Sequence, residues 1–296
     1  MLRSHRTGLT FEVRDRAPAG PLSPPGPTAG RIPPDRLTAG TVLLLHGYPQ
    51  DSGCWERVAA ALTASGLRTL APDQRGYSPD ASPVEVRAYR MHELVADALA
   101  VLDAAGVSRA HVVGHDWGGA VAWSLAMAAP DRVATLTVLS TPHPAAMAWA
   151  FRHRTQALRS WYMIAFRLPK LPERLSAGRM GPMLRRTGLP PDHADRYARR
   201  FATPESLTGP INWYRAMRWR TPSTRAGSAA EDGLFVRVPT TYVWGRRDPF
   251  LGRAAASRTG QYVSGPYRYV EMAAGHWLPE TRPEQVAQEI LRGMGR

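Results

Sequence analysis

The chain has 296 residues, with 38 Lys and Arg against 24 Asp and Glu, and a formal net charge of +14. The basic residues are scattered and Lys170 is the only lysine, so the composition indicates a GC-rich bacterial genome and no nucleic-acid partner. No apolar run approaches the ~18 residues that cross a membrane, and no signal-peptide segment follows the basic N-terminus. The single cysteine, Cys54, excludes an internal disulfide. We therefore expect a cytoplasmic protein without a membrane partner, either a monomer or a homodimer.

Strand and helix patterns alternate in the first half of the chain. Residues 9–15 alternate as an edge strand does, and the Pro- and Gly-rich residues 17–40 predict an exposed loop, because proline breaks helices and central strands. Helix-like stretches at 91–105 and 118–129 lie between short apolar runs. These runs are typical of strands buried on both faces and cover 41–45, 67–71, 110–114 and 133–140. The alternation predicts an α/β fold, with a mostly parallel, twisted sheet flanked by helices.

The alternation stops at about residue 143. Residues 143–237 are helical or irregular, are rich in Arg, Trp, Tyr and Met, and contain no convincing strand pattern. Two strand patterns and a last helix follow, at 240–244, 267–271 and 284–292. The sequence therefore predicts a core made of residues 1–142 and 238–296. A helical cap, residues 143–237, is inserted between the middle and the last strands.

The most specific motif is Gly-His-Asp-Trp-Gly-Gly at residues 114–119, between an apolar run and a helical one. A strand, a sharp turn between small residues and a helix are the pattern of a nucleophile elbow, here with Asp116 where serine is usual. A serine that displaced a leaving group from saturated carbon would form a stable ether. A carboxylate forms an ester that water can cleave at the side-chain carbonyl, so Asp116 predicts an epoxide or an alkyl halide as substrate.

An acid and a histidine follow the two late strand patterns. Asp248 comes just after residues 240–244, and His276 comes shortly after residues 267–271. The chain order nucleophile, acid, histidine is the one that accompanies an elbow of this kind. Asp116, Asp248 and His276 are therefore the predicted catalytic triad, and no metal-ligating cluster accompanies them.

The apolar run 41–45 ends in His46-Gly47-Tyr48-Pro49, at the usual position of an oxyanion loop. The backbone N–H groups of Tyr48 and Trp117 are the predicted donors to the oxyanion that forms when water attacks the ester. His46 and His115 flank the same loops outside the triad positions, and we interpret both as structural residues.

These motifs resemble those of the α/β-hydrolase-fold epoxide hydrolases, over residues 41–292. The carrying segments are the HGxP motif at 46–49, D-x-R-G-Y at 73–77 and GHDWGG at 114–119. The resemblance implies an α/β-hydrolase fold, no cofactor and no metal. It also implies that two cap tyrosines hold the epoxide oxygen, which are Tyr162, ahead of a proline, and Tyr214, in an Asn-Trp-Tyr-Arg segment. Tyrosine, with a pKa near ~10, stays protonated at neutral pH and can donate to that oxygen.

The expected reaction is hydrolysis of a small-molecule epoxide to a vicinal diol. Asp116 would form a hydroxyalkyl ester, and a water activated by His276 and Asp248 would cleave it. An apolar substrate pocket is expected, lined by Trp117, Trp161 and Trp213.

Two alternatives stay open. A haloalkane or haloacid dehalogenase would use the same triad. However, such enzymes favour Asn at the position of Tyr48 or Arg at that of Trp117. The other alternative is a ligand-binding protein that has this fold but does not turn its ligand over. An ordinary serine esterase would need Ser at position 116.

Overall fold

A parallel sheet forms the centre of the structure, a computed structural model that describes residues 2–3, 8–18, 40–153, 156–217 and 233–296. In chain order the strands are β1 (Leu2–Arg3), β2 (Thr10–Phe11), β3 (Val13–Arg16), β4 (Thr41–Leu45), β5 (Arg68–Pro72), β6 (Ala110–His115), β7 (Val133–Leu139), β8 (Thr240–Gly245) and β9 (Tyr267–Met272). The main sheet has the order β3-β5-β4-β6-β7-β8-β9. Within it β3 is antiparallel to β5, and every other neighbouring pair is parallel.

The first predicted strand is divided in the structure. Residues 10–11 pair with residues 2–3, whereas residues 13–16 pair with β5 at the edge of the main sheet. The expectation of one strand over 9–15 is therefore corrected to two short ones that belong to different sheets. The predicted loop of residues 17–40 lies outside the described residues, apart from 17, 18 and 40.

Helices cover both faces of the sheet and fill the segment between β7 and β8. In chain order they are α1 (Glu56–Ala64), α2 (Met91–Ala104), α3 (Trp117–Ala128), α4 (Pro144–His153), α5 (Gln156–Arg159), α6 (Trp161–Ala165), α7 (Leu171–Ser176), α8 (Met180–Arg186), α9 (Pro191–Arg200), α10 (Pro204–Ala216), α11 (Arg253–Arg258), α12 (Leu278–Thr281) and α13 (Pro283–Gly293). Helices α4 to α10 belong to the predicted cap, whose boundaries at 143 and 237 stay a prediction.

Strand β4 shows how the sheet is buried on both faces. Leu43 and Leu45 pack with residues of α2 and α3, whereas Val42 and Leu44 point to the other face and pack with residues of α1 and α13. Alternate side chains of a strand point to opposite faces, so a strand covered on both sides is apolar throughout. The result is the three-layered α/β-hydrolase architecture that the motifs implied, with the carboxyl ends of the parallel strands at one edge.

Candidate active site

Asp116 lies in a strained turn between β6 and α3, at the carboxyl edge of the sheet. Its backbone has φ 51° and ψ −121°, a positive φ that is uncommon outside glycine. The turn also needs glycine beside it. A Cβ on Gly118 would lie 2.2 Å from the Leu45 carbonyl oxygen, and one on Gly47 would lie 2.3 Å from the Asp116 Cβ. The predicted elbow therefore brings the Asp116 carboxylate up against the oxyanion loop.

The oxyanion loop meets the carboxylate directly. The backbone N–H of Tyr48 donates to Asp116 Oδ1 at 2.8 Å. Trp117 is the first residue of α3, and the first N–H groups of a helix have no partner within it, so its N–H is not used by the helix. Thr141 Oγ1 donates to the Asp116 carbonyl oxygen at 2.6 Å, which holds the backbone of the turn.

The structure brings His276 and Asp248 together beside Asp116. His276 Nδ1 lies 2.7 Å from Asp248 Oδ2, and His276 Nε2 lies 3.6 Å from Asp116 Oδ2. The other oxygen of Asp248 accepts the backbone N–H groups of Phe250 and Leu251, at 2.8 and 3.0 Å. Asp248 is thus held in place as an acceptor that sets the orientation of the imidazole ring.

The charges of these groups depend on one another. Burial alone would lower the pKa of His276, but the Asp248 and Asp116 carboxylates raise it to about 10. Burial would likewise raise the pKa of Asp116, but His276 and the N–H of Tyr48 hold that pKa below its ordinary value. The site therefore pairs an ionised nucleophile with a protonated histidine at neutral pH.

A buried polar network that the sequence did not reveal supports the oxyanion loop. Gln50 Oε1 accepts the Gly47 N–H at 2.9 Å and lies 2.8 Å from His115 Nδ1, while Gln50 Nε2 donates to Glu280 Oε1 at 2.7 Å. His115 Nε2 lies 2.9 Å from the carbonyl oxygen of His276. Burial lowers the pKa of His115 to about 3. The network joins the loop that carries Tyr48 to the residue that carries the base.

Residues of the D-x-R-G-Y segment, 73–77, also hydrogen-bond to the oxyanion loop. Gln74 donates its backbone N–H to His46 Nε2 at 3.1 Å and its side-chain amide to the His46 carbonyl oxygen at 2.6 Å. Arg75 makes a two-pronged ion pair with the buried Asp97, with both N–O distances at 2.6 Å. His46 thus holds the start of the oxyanion loop against β5.

The two cap tyrosines lie in an aromatic cluster over the nucleophile. Tyr162 and Tyr214 have ring centroids 6.2 Å apart, and both also contact Phe166. The Tyr214 ring packs edge-on against Trp117 at 5.1 Å and Tyr48 at 5.4 Å. No described residue is hydrogen-bonded to the hydroxyl of either cap tyrosine. Burial, together with nearby groups that include the Asp116 carboxylate, raises the pKa of both well above 10, so both stay protonated.

The three predicted pocket tryptophans have different positions. Trp117 is partly buried beside Tyr214, and Trp213 is buried with its ring 5.7 Å from that of Trp117 and its Nε1 donating to the Arg75 carbonyl oxygen. Trp161 is 66% exposed on the outside of α6, so the expectation that it lines the pocket was wrong. Neighbouring residues on a helix lie about 100° apart, and here Tyr162 takes the inner position.

Two arginines of α9 join the cap to the core, and we call them the arginine clamp. Arg196 pairs with Asp51 Oδ1 at 2.6 Å, and Arg200 pairs with Asp73 Oδ2 at 2.7 Å and with Asp51 Oδ2 at 3.3 Å. Asp51 and Asp73 are 5% and 3% exposed and lie close behind the oxyanion loop. The sequence held no local signal for this contact, because the partners are 127 to 149 residues apart.

Proteins of known family are similar to this chain in sequence and in fold. A family model described as alpha/beta hydrolase fold matches residues 40–283. Epoxide hydrolase A of Mycobacterium tuberculosis is 33% identical over 298 residues, which covers 86% of this chain and 89% of that protein. The AB hydrolase superfamily protein YfhM of Bacillus subtilis is 33% identical over 259 residues, 84% of this chain and 88% of that protein. A solved structure from work on novel epoxide hydrolases in metagenomes from hot environments has a TM-score of 0.81 and 25% identity, and the match covers 100% of this chain and 97% of that one.

The chain therefore belongs to the α/β-hydrolase-fold family. Within that class, relatives in sequence and in structure are epoxide hydrolases, and the resemblance predicted from the motifs is confirmed. Among the described residues, no group of three or more His, Cys, Asp and Glu side chains is arranged to hold a metal ion.

Proposed function

We propose that the protein hydrolyses an apolar epoxide to a vicinal diol through a covalent ester on Asp116. The observation that carries the proposal is the position of the carboxylate. It lies between two kinds of group, the oxyanion donors and His276 on the core side, and the hydroxyl-bearing rings of Tyr162 and Tyr214 on the cap side. One face of the nucleophile thus meets the groups that cleave an ester, and the other meets proton donors for an opening epoxide.

In the first step, a carboxylate oxygen of Asp116 forms a bond to one epoxide carbon, and the bond from that carbon to the epoxide oxygen breaks. The oxygen takes a proton from a cap tyrosine, and solvent returns a proton to the tyrosine. Tyr162 and Tyr214 suit this role because both stay protonated at neutral pH. Acid assistance of this kind typically contributes ~10²–10⁴ in rate.

In the second step, His276 takes a proton from a water whose oxygen attacks the side-chain carbonyl carbon of Asp116. The backbone N–H groups of Tyr48 and Trp117 stabilise the oxyanion, a contribution worth ~10²–10³ in rate per donor. The ester bond to the substrate then breaks, and the diol oxygen takes the proton from His276. The sum of both steps adds one water to the epoxide.

The charge coupling orders these two steps. In the free enzyme, the Asp116 carboxylate helps to hold the pKa of His276 at about 10, so the ring is protonated and cannot act as a base. Ester formation removes the charge of Asp116 and with it part of what raises that pKa. His276 then loses its proton more readily, when the ester is in place for attack.

We also propose an apolar substrate and a cytoplasmic location. Rings of Trp117, Trp213 and Phe250 surround the reacting groups, which supports an apolar substrate. The only cysteine, Cys54, is buried and reduced, which supports a cytoplasmic location.

The test is the intact mass of the His276→Gln variant after incubation with a mixture of epoxides and alkyl halides. Without its base the ester forms but is not cleaved, so we expect a mass gain equal to a whole epoxide, located at Asp116 by peptide mapping. The control is the double variant Asp116→Asn, His276→Gln, which should gain nothing.

A gain equal to an alkyl group without its halogen would replace the proposal with dehalogenation on the same triad. No adduct from either substrate class, with wild-type protein equally inert, would overturn the Asp116 mechanism and favour a ligand-binding protein.

A further inference from the structure

The outer surface of the cap carries an unusual number of exposed apolar side chains. Ten large hydrophobic residues of the described chain are exposed, and seven of them fall between residues 158 and 183. We call these seven the cap stripe, and their exposed fractions are Leu158 75%, Trp161 66%, Ile164 64%, Leu168 49%, Leu171 47%, Leu175 57% and Met183 41%. Singly scattered exposed apolar residues are normal, whereas seven within one segment of the cap indicate an interaction surface.

The stripe follows from helix periodicity. On α6, Trp161 and Ile164 are three residues apart, and on α7, Leu171 and Leu175 are four apart, so each pair shares one helix face. Met163 lies between the first pair in sequence but is buried. Each short helix therefore presents an apolar ridge outward while its other side packs inward.

The exposed charged side chains within residues 156–186 are all basic. Between residues 156 and 186 the only acidic residue is Glu173, which is buried and paired with Arg215 at 2.6 Å. Basic side chains in the same segment are exposed, namely Arg159, Arg167, Lys170, Arg174, Arg179, Arg185 and Arg186. Within residues 156–186 the exposed apolar side chains are thus interspersed with exposed cations, one of which, Arg185, is paired with Asp195 of α9.

We propose that the cap stripe binds the surface of a lipid bilayer that contains anionic phospholipid. Leu, Ile and Trp side chains combined with Arg and Lys are the composition of interfacial helices, whose apolar face enters the headgroup region while the cations meet lipid phosphate. Complementarity of charge argues against a second copy as the occupant, because two such surfaces would bring cations against cations. Aliphatic ridges on two successive helices also suit a lipid surface, which deforms around them, better than they suit the fixed groove of a protein partner.

Peripheral binding does not need a membrane-crossing helix, and none of the described helices is long and apolar enough to be one. The sequence predicted no membrane partner because the stripe is divided over short helices and never forms a continuous apolar run. If the proposed function holds, the stripe also has a use in catalysis. Helix α6 carries Tyr162 on its inner side, so only one helix would separate the site from the phase in which apolar epoxides concentrate.

The first test is flotation of the whole protein with vesicles of phosphatidylcholine containing 30 mol % phosphatidylglycerol, against pure phosphatidylcholine vesicles. We expect binding to the anionic vesicles and at least tenfold less to the neutral ones. The charge variant Lys170→Gln, Arg174→Gln, Arg186→Gln should lose tenfold or more, since each cation near an anionic surface contributes about fivefold to the partition coefficient. The apolar variant Leu158→Ser, Ile164→Ser, Leu175→Ser should lose a comparable factor.

The matched control changes exposed residues of the core. Val84→Ser with Arg87→Gln removes one exposed apolar residue and one exposed cation outside residues 156–186, and should bind as wild type does. All variants should keep the wild-type rate on a water-soluble epoxide and the wild-type unfolding temperature. Because flotation needs no substrate, its result is independent of the outcome for the proposed reaction.

A site-specific label then shows which face meets the lipid. Cys54 is buried, so a cysteine introduced by Ile164→Cys can be labelled selectively with an environment-sensitive dye. Its emission should shift to the blue with anionic vesicles, whereas a label at Val84→Cys should not respond. Wild-type protein that stays unbound would overturn the proposal. A concentration-dependent dimer abolished by the apolar variant, without vesicle binding, would overturn it in favour of a second copy.

Discussion

The proposed catalytic groups of the core and of the cap are held in different ways. In the core, Asp116, Asp248 and the loop of Tyr48 are fixed by short hydrogen bonds to named backbone groups. In the cap, Tyr162 and Tyr214 are held by edge-on aromatic contacts with centroid distances of 4.9 to 6.2 Å. Hydrogen bonds fix direction, whereas aromatic packing fixes a position and leaves the hydroxyl unused.

The difference matches what the two proposed steps require. Ester hydrolysis needs a base, an acceptor and two donors in one fixed arrangement, and the network of Gln50, His115 and Glu280 behind the loop supplies that rigidity. Epoxide opening needs a donor that can follow the oxygen as it leaves the carbon. We therefore expect substitutions in the core to slow ester hydrolysis and those in the cap to slow ester formation.

The largest effect should come from the core acid. Asp248→Asn removes the negative charge that orients His276, and we expect hydrolysis of the ester to slow on the order of 10⁴-fold. Ester formation should change far less, because the nucleophile and cap tyrosines are untouched. Single-turnover measurements separate the two steps, and an NMR titration should show the pKa of His276 below about 10, since Asp248 is the main group that raises it.

The control for this variant is Asp192→Asn, which neutralises an acid whose side chain is 80% exposed on the cap. Its rates should equal those of wild type. Equal losses in both steps of Asp248→Asn would contradict the separation of roles, because the acid would then be needed for the nucleophile as well.

Substitutions in the cap should have a smaller effect, and it should fall on ester formation instead of ester hydrolysis. Tyr162→Phe and Tyr214→Phe each remove one proton donor and leave the aromatic packing, so ester formation should slow about 10²-fold in each. In the His276→Gln background, the rate of adduct formation measures this step alone. Hydrolysis of ester already formed should proceed at the wild-type rate in the single variants.

Tyr197 offers a matched control, because it is a third buried cap tyrosine and its hydroxyl donates to Glu280 at 3.0 Å, away from the nucleophile. Tyr197→Phe should form the adduct within a few-fold of the wild-type rate. If all three substitutions slowed the step equally, the effect would reflect the packing of the cap, and the role of the two hydroxyls would be disproved.

The strands and the order of the triad were predictable because they depend on local pattern. The runs 41–45 and 110–114 are largely apolar, as is typical of strands covered on both faces. The elbow at 114–119 needs glycine at positions where a Cβ would collide with the neighbouring backbone, so its motif is recognisable in the sequence. Asp116, Asp248 and His276 each follow a parallel strand, and the carboxyl ends of parallel strands lie at the same edge of a sheet, so the strand order was enough to predict that the three residues meet there.

What the sequence could not predict depends on distant partners or on the direction of a side chain. Gln50 and Glu280 are 230 residues apart, and nothing local marks either as half of a buried pair. Trp161 was expected in the pocket because it adjoins Tyr162, but adjacent helix residues point in different directions. The division of residues 9–15 between two sheets likewise depends on pairing with residues 2–3, which a propensity pattern does not contain.

The arginine clamp tests this comparison, because it is a polar contact between the cap and the core. Arg200→Gln would leave the buried Asp73 Oδ2 without its ion-pair partner, while Arg196 still holds Asp51. Removing one partner of an ion pair costs several kcal/mol of stability when the pair is fully buried and little when it is exposed. The Arg200 side chain is 30% exposed, so we expect the free energy of unfolding to fall by about 1–3 kcal/mol. Diol formation at 25 °C should fall only a few-fold, since Arg200 touches no reacting group.

Urea unfolding followed by circular dichroism measures the first effect, and steady-state diol formation measures the second. Arg185→Gln is the matched control, because Arg185 pairs with Asp195 between two cap helices with both side chains exposed, and its loss should change the unfolding free energy by less than about 0.5 kcal/mol. A 10²-fold loss of ester formation in Arg200→Gln, with stability unchanged, would mean that the clamp tunes the tyrosines for catalysis. The positions of the cap tyrosines would then depend on directional polar contacts, as those of the core groups do, and the proposed difference between the two regions would be disproved.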